Sequence, residues 1–557
     1  MFKTSLLTAA ALLATSPPAF AQQPPSAGGQ LGQIPPAAAS QRAAAEIKIE
    51  RSTAAAQPVA DGPRVRVDSL RVTGGTLFPE AELIAAAAVA PTSELTLSEL
   101  RSAAARVTAY YNTRGYFLAQ TYVPAQDVKN GAVTLAVVEG RYGKIDIRNR
   151  SGLADGRATR LLSGLDSGEA VAHAALERRL LLLSDIPGVR VRSTMAPGAA
   201  VGTSDLVIDI DPGRRVTGSI EADNAGNRYT GALRAGGSVN LNNPAGLGDL
   251  FTVRLLASEG GLAYGRAAYQ APVGSGQLGA AYTHLRYELG REFEGLDADG
   301  SADILGVFGS YPVVRSRDAD LHALAGVDVK QLEDRIGLAS SVSEKQATVA
   351  TVGFSGDSRD GFGTGGRNEY SAGLALGDLQ IESPLERAAD ALTARSDGGF
   401  SKLYGSVARL QSLGGPLSVF AALRGQVAFN NLDISEKMEL GGAYGVRAYP
   451  EGEAYGDQGY VATLEARLML RRWASTLPGE LQLIGFVDAG EVAYSADPWS
   501  SGSNHAHRSG AGAGFAWAGP HGLTLKASYA RKLGDAQATS APDEDGRAWF
   551  HISKSFR

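Results

Sequence analysis

The stretch of sequence that decides the fold runs from Leu440 to Tyr460 and reads LGGAYGVRAYPEGEAYGDQGY. Glycine recurs every few residues, which allows the backbone to fold tightly on itself. One arginine, Arg447, lies near the centre, and a buried arginine requires a partner. A candidate partner lies downstream in the sequence FVDAG, residues 486–490, on a predicted strand. The stretch is too long and too rich in tyrosine for an ordinary surface connection between strands.

The segments on both sides of this stretch alternate between apolar and polar side chains, which is typical of β-strands. In the segment before it, one face carries Leu417, Val419, Ala421, Leu423, Val427 and Phe429. A soluble sandwich buries such a face, whereas a membrane barrel turns it to lipid and encloses the polar face. The period fits both architectures. The signal peptide described below, the number of strands and the charged residues in mid-strand favour the barrel.

About sixteen such segments follow Arg215, and an even number suits a bacterial barrel. They begin near Val216, Gly231, Leu250, Leu262, Gln277, Ser301, Ala319, Lys345, Arg367, Ser401, Leu417, Gly459, Glu480, Ser509, Leu523 and Arg547. Closure into a barrel also removes the edge strands that an open sheet of this size would expose. We therefore predict a transmembrane β-barrel over residues 214–557, with the glycine-rich stretch between its eleventh and twelfth strands.

The N-terminus has the pattern of a secretory signal peptide. Lys3 supplies a positive charge, residues 6–13 form an apolar core, and Ala19-Phe20-Ala21 is a small-x-small cleavage site. We predict cleavage after Ala21, so residues 1–21 are removed. No later run approaches the roughly 20 apolar residues of a transmembrane helix. The mature chain is therefore expected in the periplasm, the outer membrane or the medium.

A linker and two small α/β domains are predicted between the signal peptide and the barrel. Residues 22–63 are rich in alanine, proline and glutamine, as linkers are. Within them, residues 37–52 form either one helix or part of an unstructured tether. Residues 64–142 and 143–213 each read strand, helix, helix, strand, strand, which indicates a tandem repeat. Neither repeat contains residues that suggest a chemical site.

The composition argues against several classes of function. A net charge of −5 on 557 residues gives no indication of a nucleic-acid partner. The absence of cysteine excludes disulfides, zinc–thiolate sites and cysteine nucleophiles. No phosphate-binding loop and no motif for a Ser-His-Asp triad is present. We predict that the chain is not an enzyme and has no catalytic residue, no metal site and no cofactor.

Several motifs resemble those of the two-partner-secretion transporters, which export filamentous haemagglutinin and haemolysins and belong to the superfamily of the barrel-assembly protein BamA. The Y-x-x-x-G-Y pattern of a polypeptide-transport-associated (POTRA) domain is matched by Tyr111, Gly115 and Tyr116. Residues 180–189 look like the second POTRA domain of that family. The last strand ends at Phe556 and resembles the signal read by the barrel-assembly machinery, although Lys554 interrupts its apolar face and Arg557 follows it.

The central stretch and its partner resemble the two signatures of the superfamily. The signature V-R-G-Y corresponds here to Val446, Arg447, Ala448 and Tyr449. Alanine replaces the usual glycine, and alanine disfavours positive φ. The signature F-x-D-x-G is matched in full by Phe486, Asp488 and Gly490. The resemblance implies that the loop folds into the lumen and that Arg447 bonds to Asp488.

The resemblance also implies a function and a set of partners. The protein would recognise one large secreted β-helical protein through the edges of its periplasmic POTRA domains, and would export that protein through an outer-membrane barrel without ATP. Outer-membrane lipid surrounds such a barrel, and periplasmic chaperones and the barrel-assembly machinery handle it during biogenesis. The helix predicted at residues 37–52 resembles the family's lumen-plugging helix.

Three other functions remain open on the sequence. A barrel-assembly insertase shares both signatures, but such proteins usually carry three to five POTRA domains, whereas about 150 residues between linker and barrel leave room for two. A passive porin lacks periplasmic α/β domains, so residues 64–213 argue against it. A soluble periplasmic sandwich would require residues 214–557 to dissolve without detergent.

Overall fold

The computed structural model describes residues 24–35, the backbone of Glu46–Ile49, residues 63–470 and residues 478–556. The predicted signal peptide and most of the predicted linker lie outside these ranges. The first elements are helix α1, Ala27–Gly32, and strand β1, Glu46–Ile49. The prediction of one helix over residues 37–52 is wrong at β1, where alternating polar and β-branched residues suit a strand. The rest of that prediction lies outside the described residues.

The first α/β domain packs two helices on a three-stranded sheet. Its elements are β2 Val65–Val67, β3 Ser69–Thr73, α2 Glu80–Ala87, β4 Ser93–Leu95, α3 Leu97–Thr113, β5 Gln120–Tyr122 and β6 Ala132–Val138. The sheet order is β3-β6-β5, and β2 and β4 form a separate pair. Thr96 and Glu99 form a capping box that starts α3. Leu83, Val107 and Leu135 are buried between helices and sheet.

The second α/β domain has the same plan and a larger apolar core. Its elements are β7 Arg141–Asn149, α4 Asp155–Leu161, α5 His173–Ser184, β8 Val189–Pro197 and β9 Thr203–Pro212. The sheet order is β1-β8-β9-β7, so strand β1 from the N-terminal segment extends this sheet at the edge of β8. Leu180, Met195 and Ile208 are buried in the core.

The remaining strands form one closed antiparallel barrel of sixteen strands. They are β10 Val216–Asp223, β11 Arg234–Asn242, β12 Leu250–Ser258, β13 Ala263–Val273, β14 Gly276–Glu288, β15 Ala298–Arg315, β16 Ala319–Ile336, β17 Ser341–Asp360, β18 Gly366–Ile381, β19 Gly398–Ser412, β20 Leu417–Ala428, β23 Gln458–Met469, β24 Glu480–Ala493, β25 His505–Ala518, β26 Leu523–Lys532 and β27 Gly546–Phe556. The long loop between β20 and β23, which we call the lumen loop, contains the short strands β21 Met438–Glu439 and β22 Tyr455–Gly456. Helix α6 Pro384–Leu392 follows β18.

The alternation of side chains separates the two faces of the wall. On β20, Leu417, Leu423 and Val427 are more than two-fifths exposed on the outer face, whereas Gln426 on the inner face is buried. Pairing of β10 with β27 closes the barrel. The structure therefore confirms the predicted fold class, a sixteen-stranded barrel preceded by small α/β domains. Among the described residues, no helix has the length and apolar character needed to cross a membrane.

The second α/β domain is fastened to one end of the barrel, which we call the near rim. The Asp185 carboxylate forms a bidentate ion pair with Arg315, with N–O distances of 2.6 and 2.7 Å. Arg178 donates to the carbonyl of Pro312, and Arg157 donates to the carbonyl of Gly274. These contacts reach turns at the ends of β13 and β15, so the domain does not hang freely from β10.

Candidate functional site: an arginine lock in the lumen

The loop between β20 and β23, the eleventh and twelfth barrel strands, turns back into the lumen. Strands β21 and β22 pair at its base. At its tip, the Val446 amide donates to the Leu440 carbonyl at 2.9 Å, and the Gly442 amide donates to the Tyr449 carbonyl at 3.2 Å. Gly442 has a φ of +89°, which favours glycine. The glycine spacing thus allows a compact loop whose tip is held in one conformation.

Arg447 and Asp488 meet in the lumen. The Nε atom of Arg447 lies 2.7 Å from one carboxylate oxygen of Asp488, and a terminal nitrogen lies 2.8 Å from the other. Asp488 is fully buried, and the Thr463 hydroxyl also donates to it at 2.9 Å. Such a two-pronged charge-assisted pair fixes the orientation as well as the distance of the guanidinium.

A second carboxylate, that of Glu465, accepts a hydrogen bond from the same guanidinium. The remaining terminal nitrogen of Arg447 donates to Glu465 at 2.9 Å, and Arg467 binds the other Glu465 oxygen at 2.7–2.8 Å. We define the lock as Arg447 together with Asp488, Thr463 and Glu465. Thr463 and Glu465 are not among the predicted site residues, although they share the polar face of β23 with Arg467, which was a usable signal.

Aromatic packing shields the lock. The Arg447 guanidinium lies 3.4 Å from the centroid of the Phe486 ring, a cation–π contact. Phe486 is buried on the same face of β24 as Asp488, as the alternation predicts. Gly490, the last residue of that signature, faces Leu440 and the Tyr460 carbonyl, and a Cβ atom there would lie 2.6 Å from that oxygen. Each residue of the F-x-D-x-G signature therefore contacts the loop or leaves room for it.

The other residues of the V-R-A-Y stretch are fully buried, including Val446, Ala448 and Tyr449. Ala448 does not adopt a positive φ, so alanine causes no backbone strain where the superfamily has glycine. The Tyr449 hydroxyl donates to the Ala536 carbonyl at 3.0 Å. Behind the tip, Glu453 binds Arg508 and accepts from the Thr539 amide. These contacts tie the loop to the segment between β26 and β27.

The residues of the Y-x-x-x-G-Y pattern lie in the first α/β domain, far from the lock in the sequence. Tyr111 is fully buried, and Gly115 ends α3 with a φ of +90°. The Tyr116 ring packs edge-on against the Tyr111 ring. Burial raises the pKa of the Tyr111 phenol, and the neighbouring Glu139 carboxylate raises it further. The pattern therefore builds a structural core and the joint between the two α/β domains.

A second object, the segment of residues 24–35 with α1 at its centre, also occupies the lumen. The Ala27 amide donates to Asp334 at 2.7 Å, and the Thr230 hydroxyl donates to the Gln30 side chain at 2.9 Å. Two buried wall residues bind its backbone carbonyls: Arg234 binds that of Gln33, and Arg254 binds that of Pro35. We call residues 24–35 the plug. The lumen helix therefore precedes the region where the sequence predicted it.

The plug also rests on the lumen loop. A Cβ atom at Gly28 would lie 2.8 Å from the Ser435 side chain and 3.0 Å from its backbone. The Gln33 side chain donates to the Tyr455 hydroxyl at 2.7 Å. Because Ser435 and Tyr455 lie at the two ends of the loop, the plug and the lock share one support. Among the described residues, no group of three or more histidine and acidic side chains could hold a metal ion.

Comparison with known proteins agrees with this architecture. The family described as haemolysin secretion/activation protein ShlB/FhaC/HecB matches residues 202–517, and the ShlB-type POTRA domain matches residues 65–140. The heme/hemopexin transporter protein HuxB of Haemophilus influenzae (strain 86-028NP) is 26% identical over 471 residues, which cover 83% of this chain and 82% of HuxB. The outer membrane transporter CdiB of Dickeya dadantii (strain 3937) is 25% identical over 448 residues, which cover 77% of each chain.

Two solved structures share the fold. CdiB from Escherichia coli superposes with a TM-score of 0.70 at 20% identity and covers 90% of this chain and 93% of its own. BamA from Haemophilus ducreyi, lacking POTRA domains 1–3, superposes with a TM-score of 0.52 at 14% identity and covers 88% of this chain and 100% of its own. At these identities the likeness is one of architecture.

Proposed function

Since the chain belongs to the ShlB/FhaC/HecB family of haemolysin secretion/activation proteins, we propose that it is an outer-membrane pore that exports one large secreted β-helical protein. Its relatives include a heme/hemopexin transporter protein and an outer membrane transporter. The near rim and both α/β domains would face the periplasm, and the opposite rim would face the cell exterior. Cleavage after Ala21 would release the mature chain during its own export.

The observation that carries this proposal is the lock inside a closed, plugged barrel. A passive pore gains nothing from a lumen filled by two separate segments. A pore that passes an extended polypeptide but is closed at rest needs segments that block the lumen, are held there, and move when the polypeptide passes. Charge-assisted hydrogen bonds hold the loop through Asp488 and Glu465, and plug and loop touch at Ser435. We therefore assign the lock to the resting, closed state.

Partner recognition is assigned to the sheet edges of the α/β domains, where an extended segment can add as a further strand. The edges of the first domain are partly capped: the Val72 amide donates to Glu80, and the Thr121 amide donates to the Thr108 hydroxyl. The edge of β8 is covered by β1 through parallel backbone pairing. A partner strand at that edge would compete with the chain's own N-terminal segment.

Export would proceed without ATP, because the periplasm lacks it and the chain has no phosphate-binding loop. The free energy would come from folding of the partner outside the cell, which prevents its return. A β-helix suits this role because each coil folds on the one before it. In this scheme the pore supplies a path and a closed resting state rather than a power stroke.

The test is deletion of the gene in its native host, followed by complementation with the wild-type chain or with Arg447→Ala. We expect one large surface protein to disappear on deletion, to return with the wild type, and to return at a much lower level with the variant. The variant barrel should still insert and remain heat-modifiable on electrophoresis. An unchanged surface proteome after deletion would overturn the proposal. Loss of many outer-membrane barrels would instead support the insertase function.

A further inference from the structure

Strand β25 presents a flat inner surface to the tip of the lumen loop. A Cβ atom built on Gly510 would lie 2.5 Å from the Cβ of Ala448 and 3.1 Å from the Arg531 carbonyl oxygen. Gly510 has no positive φ, so side-chain crowding alone excludes alanine there. Two positions further along, a Cβ atom on Gly512 would lie 2.2 Å from the Tyr529 carbonyl oxygen and 2.5 Å from the Phe486 ring. Both glycines therefore leave space beside side chains of the two signatures, Ala448 at Gly510 and Phe486 at Gly512.

The closing strand of the barrel supplies the side of the same recess. The indole N–H of Trp549 on β27 donates to the Arg447 carbonyl at 2.7 Å. This bond acts on the carbonyl of Arg447, whereas Asp488 accepts from its backbone amide and its guanidinium, and Glu465 accepts from its guanidinium. At this level β27 is joined to the first-strand side by Asn224, which bonds both the Ala548 carbonyl and the Phe550 amide. The carbonyl and the guanidinium of Arg447 are thus fixed from different strands.

We infer that Gly510, Gly512 and Trp549 are positioning residues that form a seat for the loop tip, and that Gly510 is matched to the alanine at position 448. All three lie outside both signatures. Where a loop of this kind carries glycine at the third position of V-R-x-Y, the facing strand needs no such notch. Here the methyl group of Ala448 needs one, and Gly510 provides it. The role of this seat in export rests on the proposed function, but its geometry does not.

The experiment measures hydrogen–deuterium exchange of residues 440–456 in the purified full-length chain in detergent. We compare Gly510→Ala, Ala448→Gly, the double variant, and the control Gly485→Ala, whose added Cβ meets nothing within 4 Å. We expect Gly510→Ala to accelerate exchange in the loop by about tenfold, since overpacking displaces the tip. The double variant should recover most of that protection, because removing the Ala448 methyl restores the space.

Recovery of protection in the double variant distinguishes a matched pair of residues from general damage to the barrel wall. If Gly510→Ala leaves exchange at the level of Gly485→Ala, or if Ala448→Gly does not improve it, the inference is overturned. If Gly510→Ala fails to insert, recovery of a heat-modifiable barrel in the double variant supports the pair, and continued failure refutes it. Because exchange needs no partner protein, this result is independent of whether the chain exports anything.

Trp549→Phe isolates the hydrogen bond to the Arg447 carbonyl. It should accelerate exchange around Arg447 by about fivefold, because an aromatic ring remains but one neutral donor is lost. Trp499→Phe, in an exposed loop, is the matched control. Equal exchange in the two variants would show that Trp549 is not part of the seat. The pairing of Gly510 with Ala448 is tested separately by the exchange of the Gly510→Ala and double variants.

Discussion

The lock and the plug fill the same lumen but are held by different kinds of contact. The Arg447 side chain is gripped by two carboxylates and an aromatic ring. The plug contains a six-residue helix with three glycines and no charged residue. Two of its bonds run from wall arginines to its backbone carbonyls. The loop tip is thus held mainly through one charged side chain, and the plug mainly through its backbone and uncharged side chains.

The expected free energies agree with this difference. Breaking a buried ion pair by removing one partner costs about 3–5 kcal/mol, because the other charge is left uncompensated. A glycine inside a helix lowers its intrinsic stability by about 1 kcal/mol relative to alanine. The neutral hydrogen bonds of the plug are worth about 1 kcal/mol each, and those to charged wall residues about 1.5–3 kcal/mol each. The free energy that holds the plug is therefore spread over several bonds, whereas that of the lock is concentrated on one side chain.

The largest effect is expected for Asp488→Ala, which removes the main partner of Arg447. Arg447 then keeps only Glu465 as a charged partner, and Thr463 loses its acceptor. We expect hydrogen–deuterium exchange in residues 440–456 to accelerate by about 100-fold or more, from the loss of a buried ion pair. Glu465→Ala is the graded comparison, since it removes one hydrogen bond of Arg447 instead of three. A larger effect for Glu465→Ala than for Asp488→Ala would reverse the assignment of the main anchor.

Gly28→Val tests the contact between plug and loop. The new side chain would overlap Ser435, so the plug should leave its place and single-channel conductance events should become about tenfold more frequent. Gly32→Val is the control within the same helix, because a Cβ atom at Gly32 meets nothing within 4 Å. The heat-modifiable mobility of the barrel should not change in either variant. Equal conductance for the two variants would mean that crowding against Ser435 does not hold the plug.

The smallest effect is expected for Tyr455→Phe, which removes one hydrogen bond between plug and loop. The Gln33 amide loses its acceptor, so conductance events should increase by about fivefold, in line with a bond of about 1 kcal/mol. Loop exchange should remain close to that of the wild type, because the lock is untouched. Tyr444→Phe, on an exposed side chain of the same loop, controls for loss of a hydroxyl. A large change in loop exchange would show that plug and lock are not separable.

The wall and the loop could be predicted from the sequence for different reasons. Side-chain alternation fixes the strands, because each inward position must face water and each outward position must face lipid. The meeting of Arg447 with Asp488 came from resemblance to two signatures, since a spacing of 41 residues carries no geometric information. Once the register of β24 is known, the inward direction of Asp488 follows from alternation.

The plug and the seat could not be predicted, because their partners are remote in the chain. Gln33 meets Tyr455 across 422 positions, and Ala27 meets Asp334 across 307. The plug helix is glycine-rich and short, so its own sequence predicts little helix. Gly510 and Trp549 have ordinary neighbours on their strands. Only the fold shows that the space beside Gly510 accommodates the Ala448 methyl group and that the indole N–H of Trp549 binds the loop.

The fastening of the second α/β domain has a consequence for the path of an entering polypeptide. Asp185, Arg178 and Arg157 attach the domain at separate points along neighbouring turns of the rim. Several such attachments restrict rotation as well as translation, so the domain is held in one orientation beside the near rim of the barrel. Under the proposed function, a polypeptide bound to this domain would enter the barrel from one side of the near rim. The fold would thus set the side of entry before a partner binds.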